Sequence, residues 1–289
     1  MDADISTIYQ SGFYRIVDFR CRCTNCQRSK PEYAKAFSVS FVRRGNFLFN
    51  VFRNSMDSYT GCVLETKPGY EHTVKDTHSV PDECTIFEFK DDFYRGLIDQ
   101  YGALRFFCDA DLHSTLVKTS PETELLHYQI VRLAYTGSPR LEIDGLVISL
   151  LQKILSSVSD YQPGDRIDTR LKARHLATIE IAKHYIVENF TDDISLTDIA
   201  GHCYVSPFHF SRLFKTFTGY SPHQFLLITR LQQAAILLRH TSQPVTDIAF
   251  SCGFNGVEHF TAAFRQHYQL PPAAFRTNTA DYGKMSKIS

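Results

Sequence analysis

The sequence predicts a multidomain α+β chain. It has an N-terminal β-barrel with trailing helices, then an all-α domain of two helix-turn-helix units joined by a long helix. Three observations carry this. Between Ala36 and Phe89, short stretches of alternating apolar and polar residues are punctuated by Gly, Pro and Asn. From Pro121 onward the apolar period lengthens from two residues to between three and four. From Ile194 to Arg276 one phrase is written twice: Thr197-Asp198-Ile199-Ala200 with Cys203 returns as Thr246-Asp247-Ile248-Ala249 with Cys252. His209-Phe210-Ser211-Arg212-Leu213-Phe214-Lys215 returns as His259-Phe260-Thr261-Ala262-Ala263-Phe264-Arg265. The first phrases lie 49 residues apart and the second 50, so the later copy carries one extra residue in its turn.

Length and composition bound the alternatives. A chain of 289 residues can build two cores of ordinary size. Apolar content of 43% and charged content of 21% are globular values. The formal net charge of zero conceals an asymmetry: from Arg170 onward there are 12 Lys+Arg against 8 Asp+Glu, a net +4, which leaves −4 for residues 1–169. A basic half joined to an acidic half fits a nucleic-acid-binding part and a partner part. The acidic start Met1-Asp2-Ala3-Asp4 has no apolar core of a secretory leader, and no apolar run approaches the ~18 residues of a membrane span. Eight Cys fall short of disulfide-scaffold density, so free thiols or metal ligands in a cytoplasmic protein are expected.

Residues 1–30 open as a weak amphipathic stretch and close on Cys21-Arg22-Cys23-Thr24-Asn25-Cys26. Phe37–Val42 and Phe47–Phe52, with Arg43-Arg44-Gly45-Asn46 between them, have the pattern of a hairpin. Gly61–Gly69, ending in Pro68-Gly69, and Cys84–Phe89 add further strands, which together indicate a small barrel or sandwich over 31–120. Helices are expected at 93–101, 121–135 and 141–158. The wide apolar stripe of the last (Leu146, Val147, Leu150, Leu151, Ile154, Leu155) suits packing on the β-domain or dimerisation. Polar Pro/Gly-containing sequence at 159–172 is the linker between a 1–158 sensor and dimerisation domain and a 173–277 helical domain, with 278–289 as a flexible tail.

In the helical domain, Ser195 with Asp198 and Ser221 with Gln224 form capping-box pairs, and Ser206-Pro207 sets a hydroxyl before Pro at a helix start. Asn255 holds the corresponding capping place in the second copy. Ala200 and Ala249 are small where two helices must approach. Phe210 with Phe214, and Phe260 with Phe264, face inward at a spacing of four. The opposite faces carry Phe208, Ser211, Arg212 and Lys215 in the first copy, and Val257, Glu258, Thr261, Ala262, Arg265 and Gln266 in the second. A helix of this kind fits the ~12 Å major groove, and Arg212 has the reach for bidentate contact with guanine. Lys215 and Arg265 suit phosphate, and the backbone N–H groups at the two helix starts do likewise. His209 and His259, each beside an inward Phe, are expected to pack or cap.

The stretch Arg174–Arg276 resembles the AraC/XylS family of bacterial transcription regulators, through Ile199-Ala200, Ser206, His209–Lys215, Gly219-Tyr220-Ser221-Pro222, Phe225, Arg230-Leu231, Ala234, Leu237-Leu238, Ile248-Ala249, Gly253-Phe254, His259-Phe260 and Phe264-Arg265. The resemblance implies two successive major grooves read from one DNA face. It places base-reading positions on Phe208, Ser211 and Arg212, and on Val257, Glu258, His259 and Ala262, with Arg230 in a structural role. Ala262 departs from the family's longer polar or basic residue, and Gln269-Leu270-Pro271-Pro272 replaces Gly-x-Ser-Pro, which shifts base reading toward the first unit. The strands at 36–89 are similar to the family's cupin-like sensor halves, which implies a small effector in the barrel and a homodimer, with RNA polymerase as a further partner of an activator on the bacterial nucleoid. The metal-binding His-x-His pair of cupins is absent.

Cys21, Cys23 and Cys26, with Cys84, offer half of a zinc signature; a thiolate metal site, a redox pair and plain structural Cys all remain open. Cys203 and Cys252 occupy matched positions and are expected to pack. Beside a non-enzymatic, cytoplasmic, effector-modulated transcription regulator that needs no cofactor stand two alternatives. One is a metal-dependent cupin enzyme. The other is an alkyl-accepting DNA-repair or regulatory protein using the Cys21/Cys23/Cys26 cluster. No phosphate loop or Gly-x-Ser-x-Gly elbow is present.

Overall fold

The structure, a computed structural model, describes residues 3–22, 28–52, 54–77, 81–137, 139–158 and 167–277. The chain divides into two compact domains, Met1–Glu180 and Ile181–Ser289. Helix α5 (Thr169–Asn189) contributes its first half to one and its second half to the other. It begins inside the stretch expected as linker, of which 159–166 lie outside the described residues.

Ten strands make two antiparallel sheets in the N-terminal domain. The larger runs in the order β1 (Ala3–Gln10), β2 (Tyr14–Cys21), β9 (Glu83–Phe89), β4 (Phe37–Arg44), β7 (Cys62–Thr66), β10 (Ser114–Lys118). The smaller runs β3 (Glu32–Tyr33), β8 (Glu71–Asp76), β5 (Asn46–Val51), β6 (Asn54–Tyr59). The sheet therefore starts at Ala3 rather than at 31. Tyr14-Arg-Ile-Val-Asp-Phe has the aromatic and β-branched content of a strand, and β2 pairs along its length with β9, Tyr14 opposite Phe89.

The hairpin expected at 37–52 is not formed. β4 pairs with β7 and β9, whereas β5 pairs with β6 and β8, so the chain leaves one sheet for the other at Gly45. Gly45 has φ +88, and a Cβ there would collide with the Asp82 side chain. The chain crosses back at Thr60-Gly61, and the hairpin that does form is β5–β6. Both local patterns look alike in sequence because alternation reports a half-buried strand and not its partner.

Helices cover one face of the large sheet. α1 (Asp91–Tyr101) brings Tyr94 onto Phe37, with ring centroids 5.1 Å apart, and the short α2 (Arg105–Cys108) adds buried Phe106. α3 (Pro121–Thr136) starts at a capping box of Ser120 with Thr123 and stacks His127 on Phe41 at 4.4 Å. α4 (Arg140–Val158) buries Ile143, Leu146, Val147, Leu150, Leu151, Ile154 and Leu155, and its Asp144 accepts from the Tyr14 hydroxyl at 2.8 Å. Leu141 and Ile148 on the same helix stay exposed.

The C-terminal domain is helical: α6 (Leu196–His202), α7 (Pro207–Thr218), α8 (Pro222–His240), α9 (Val245–Ser251) and α10 (Val257–Tyr268), with a further helical turn at 272–277. The first half of α8 meets α7 through Phe225, whose ring stands edge-on to Phe214 at 5.4 Å. Its second half (Leu231, Ala234, Ala235, Leu238) shares a core with Ile248, Ala249, Cys252, Phe254, Phe260, Phe264 and Phe275. No helix among the described residues is long and apolar enough to cross a membrane.

Candidate nucleic-acid interface

The first unit begins at a closed capping box. The Asp198 N–H donates to Ser195 Oγ at 3.2 Å, and the Ser195 N–H donates to Asp198 Oδ2 at 2.8 Å. The Ser195 hydroxyl, donating to Asp198 Oδ2 at 2.6 Å, and the Ser195 N–H together hold the Asp198 carboxyl below the usual range. α6 buries Ile199 and Ala200 and stops at Cys203, after which Tyr204 takes φ 56 and the Val205 N–H reaches back to the Ala200 carbonyl at 3.0 Å. α7 then starts with Pro207. Ser206 stands at its N-cap, but its side chain makes no capping bond, contrary to expectation, so the first-turn N–H groups are not shielded by that hydroxyl.

α7 buries Phe210, Leu213, Phe214 and Phe217 and turns the other face outward. Phe208 is 75% exposed, Arg212 and Lys215 are exposed, and Ser211 is half-buried. The Arg212 guanidinium lies over the Phe208 ring, 5.8 Å from its centroid. One turn apart on a helix, these two side chains make a paired aromatic and cationic surface.

The second unit repeats the frame. Cys252 ends α9, Gly253 takes φ +81, and the Phe254 N–H donates to the Ala249 carbonyl at 3.1 Å, the counterpart of Val205 and Ala200. The extra residue enters after that bond. α10 is capped by Gly256 and not by Asn255, which lies one place earlier. α10 buries Phe260 and Phe264; Glu258, Ala262, Arg265 and Gln266 are exposed, and Val257 and Thr261 half-buried. His209 and His259, expected to pack or cap, are exposed, although His259 sets its ring edge against Phe254 at 5.8 Å.

Arg230 on α8 ties the domain together. Its Nε donates to the Phe190 carbonyl and its Nη2 to the Asp192 carbonyl, both at 2.7 Å, just beyond the end of α5. Gly253 fits against the same place: a Cβ on it would stand 2.8 Å from the carbonyl oxygens of Phe190 and Thr191 and 3.0 Å from Arg230 Nε. The 272–277 turn is held by the Arg239 guanidinium over the Phe275 ring at 4.8 Å and by Arg276 donating to the Gln243 carbonyl at 2.5 Å.

Cys203 and Cys252 are buried at matched helix ends, as expected of packing residues. Cys21 and Cys84 are buried in the large sheet, and burial pushes the Cys84 thiol up, away from the thiolate a metal needs. Cys23 and Cys26 lie outside the described residues. Among the described residues no group of three or more His, Cys, Asp or Glu is placed to hold a metal ion.

A family model described as a helix-turn-helix domain matches residues 199–278. The regulatory protein PocR of Salmonella typhimurium is 36% identical over 108 residues, 37% of this chain and 36% of PocR. The transcriptional activator RhaS of Klebsiella pneumoniae is 35% identical over 92 residues, 32% of this chain and 33% of RhaS. The transcriptional regulator MtrA of Neisseria gonorrhoeae is 27% identical over 178 residues, 57% of this chain and 59% of MtrA. The C-terminal domain belongs to the AraC/XylS type. The chain spans about a third of the length of PocR and of RhaS. Sequence reasoning passed over Tyr204, which is 97% exposed in a left-handed conformation at the place where the second unit has Gly253. Aligning the two turns residue by residue would have exposed the mismatch.

Proposed function

We propose that this chain is a sequence-specific transcription regulator of the AraC/XylS type, non-enzymatic, with a DNA-reading C-terminal domain and an N-terminal domain that responds to a small effector. The observation that carries the DNA half is the exposed Phe208–Arg212 pair on a helix whose other face is locked by Phe210 and Phe214. Arg212 reads guanine O6 and N7, Phe208 lies against a neighbouring thymine methyl or sugar, and Lys215 meets phosphate. In α10, Arg265 and Gln266 hold backbone, while Val257, Glu258 and Thr261 offer the base-facing surface. Ala262, where the first unit has Arg212, makes the second unit the weaker reader.

The same proposal makes the protein a homodimer, with Leu141 and Ile148 on α4 as the apolar surface available to a second copy, and a bacterial, nucleoid-associated one that meets RNA polymerase when it activates. The net −4 of residues 1–169 is consistent with a domain kept off DNA.

A binding-site selection with the full chain, followed by shift assays on the selected operator, tests this. Arg212→Ala should lose about 1–3 kcal/mol of discrimination at one base position, whereas Lys215→Ala should weaken all DNA alike and flatten the salt dependence. A wild-type chain that selects no consensus, or an Arg212→Ala chain that selects the same one equally well, refutes it.

A further inference from the structure

The first half of α5 lies against the small sheet in a manner unlike the other helices of its domain. α3 and α4 are held by apolar side chains such as Leu125, Ile130, Ile143 and Leu155, all fully buried. In this half of α5 the buried side chains are Lys172, Leu176 and Ile179, and the half-buried Glu180 follows, so charged groups share the anchoring with apolar ones. Lys172 is 2% exposed; its Nζ donates to Asp57 Oδ2 on β6, and the cation sits 5.2 Å from the centre of the Tyr59 ring. Two turns later Glu180 Oε1 accepts from the Gly45 N–H at 3.3 Å and from the Thr60 hydroxyl. Between the two clamps a cavity of about 60 Å³ remains, lined by Gly45, Lys172, Leu176 and Glu180 among others.

Two physical consequences follow. The attraction within a buried ion pair is largely offset by the dehydration of its members, so this docking is specific in geometry but weakly held. Second, Gly45 and Thr60 are two of the places where the chain passes between the two sheets. Glu180 therefore grips these two crossings at once, where the Thr60 N–H also donates to the Gly45 carbonyl at 3.2 Å. Gly45 has no freedom to adapt by substitution, because its φ of +88 and the adjacent Asp82 exclude a side chain.

We propose that residues 169–180 are a releasable strap, held by the Lys172–Asp57 and Glu180–Gly45/Thr60 clamps, and that its release is the step by which the N-terminal domain controls the DNA-binding domain. α5 continues without a break to Asn189 in the second domain, so freeing its first half changes how the helix enters that domain. The proposal rests on the N-terminal domain being the regulatory half.

Hydrogen exchange of the full chain without DNA, read by mass spectrometry, tests the strap apart from DNA binding. Glu180→Gln and Asp57→Asn should each raise exchange in 169–180 at least ten-fold and leave β9 and α7 unchanged. Lys172→Met combined with Asp57→Leu, which replaces both members of the pair with apolar side chains, should keep 169–180 protected. On the operator selected by the wild type, affinity should change at least five-fold in the first two variants and stay unchanged in the third. Unaltered exchange in Glu180→Gln and Asp57→Asn overturns the strap. Faster exchange with unaltered affinity overturns its regulatory role. A wild-type chain that selects no operator instead refutes the DNA-binding proposal, while the exchange result still decides whether the strap opens.

Discussion

Replacing Gly253 with Ala adds one methyl group and probes how the second turn is seated. Two costs combine. At φ +81 an L-residue pays about 1–2 kcal/mol for the left-handed conformation. The new Cβ would also stand 2.8 Å from the carbonyl oxygens of both Phe190 and Thr191, where ordinary contact begins near 3.4 Å. The backbone must move by roughly half an ångström, an overpacking cost of about 1–3 kcal/mol. The Phe190 carbonyl that has to move is the one accepting from Arg230 Nε at 2.7 Å, so the strain falls on a charge-assisted bond as well. The total is about 2–5 kcal/mol, which for a domain of about 100 residues lowers the melting temperature by more than about 8 °C. Calorimetry of the full chain, with exchange of the α9 and α10 amides to assign the transition, reads this directly. Tyr204→Gly is the matched control: it relieves the same left-handed conformation on an exposed turn and should change stability by less than about 1 kcal/mol. A Gly253→Ala chain that melts within about 4 °C of wild type would refute the idea that this turn is pinned against the end of α5.

Three further outcomes are expected. Glu65, fully buried on β7 with no hydrogen-bond partner for either carboxyl oxygen among the described residues, has its acid pushed up to about 8 by burial, against about 4.3 when unfolded. The folded state thus holds a proton that the unfolded state has lost, so between about pH 4.3 and 8 stability should fall as pH rises, by several kcal/mol in all; Glu65→Gln should remove that slope, and denaturant titrations giving parallel pH curves for the two chains would contradict it. Ser195→Ala opens the α6 capping box and should cost about 1 kcal/mol, seen as a lower urea midpoint with an unchanged slope. Metal analysis of protein purified without chelator tests zinc at Cys21, Cys23 and Cys26: bound zinc lost on Cys23→Ser would establish the site, and metal-free wild type would remove it.

The C-terminal domain was legible because its information is local and doubled. Capping boxes at Ser195 and Ser221, paired Phe at a spacing of four, and the one-residue offset between copies each name a physical feature that the fold realises. Asn255 and Ser206 misled because a capping residue type shows the end of a helix but not whether its side chain turns back to make the bond. In the N-terminal domain the strands β4, β5, β7 and β9 announced themselves by alternation, yet their partners did not, since pairing is set by contacts distant in sequence. Lys172 and Glu180 gave no signal at all: a charged residue on an amphipathic helix is ordinarily solvated, and only contacts distant in sequence, with Asp57 on β6 and with Gly45 and Thr60, make Lys172 a buried anchor and Glu180 a half-buried one.

The helix α8 sets a scale for the whole DNA-binding domain. Its 19 residues rise about 28 Å at 1.5 Å each, slightly less than the ~34 Å repeat of the double helix, and its two halves are the separate floors on which α7 and α10 stand. Adding or deleting a single residue at its middle would displace one floor by only 1.5 Å but rotate it by about 100°. On the proposed reading, one recognition helix would then turn away from the DNA face that the other addresses. Substitutions on the outer faces of α7 and α10 can therefore retune which sequence is bound without touching the frame, while the length of α8 admits no gradual change: the spacing of the bound sites is a property of the protein's backbone, and their identity a property of its surface.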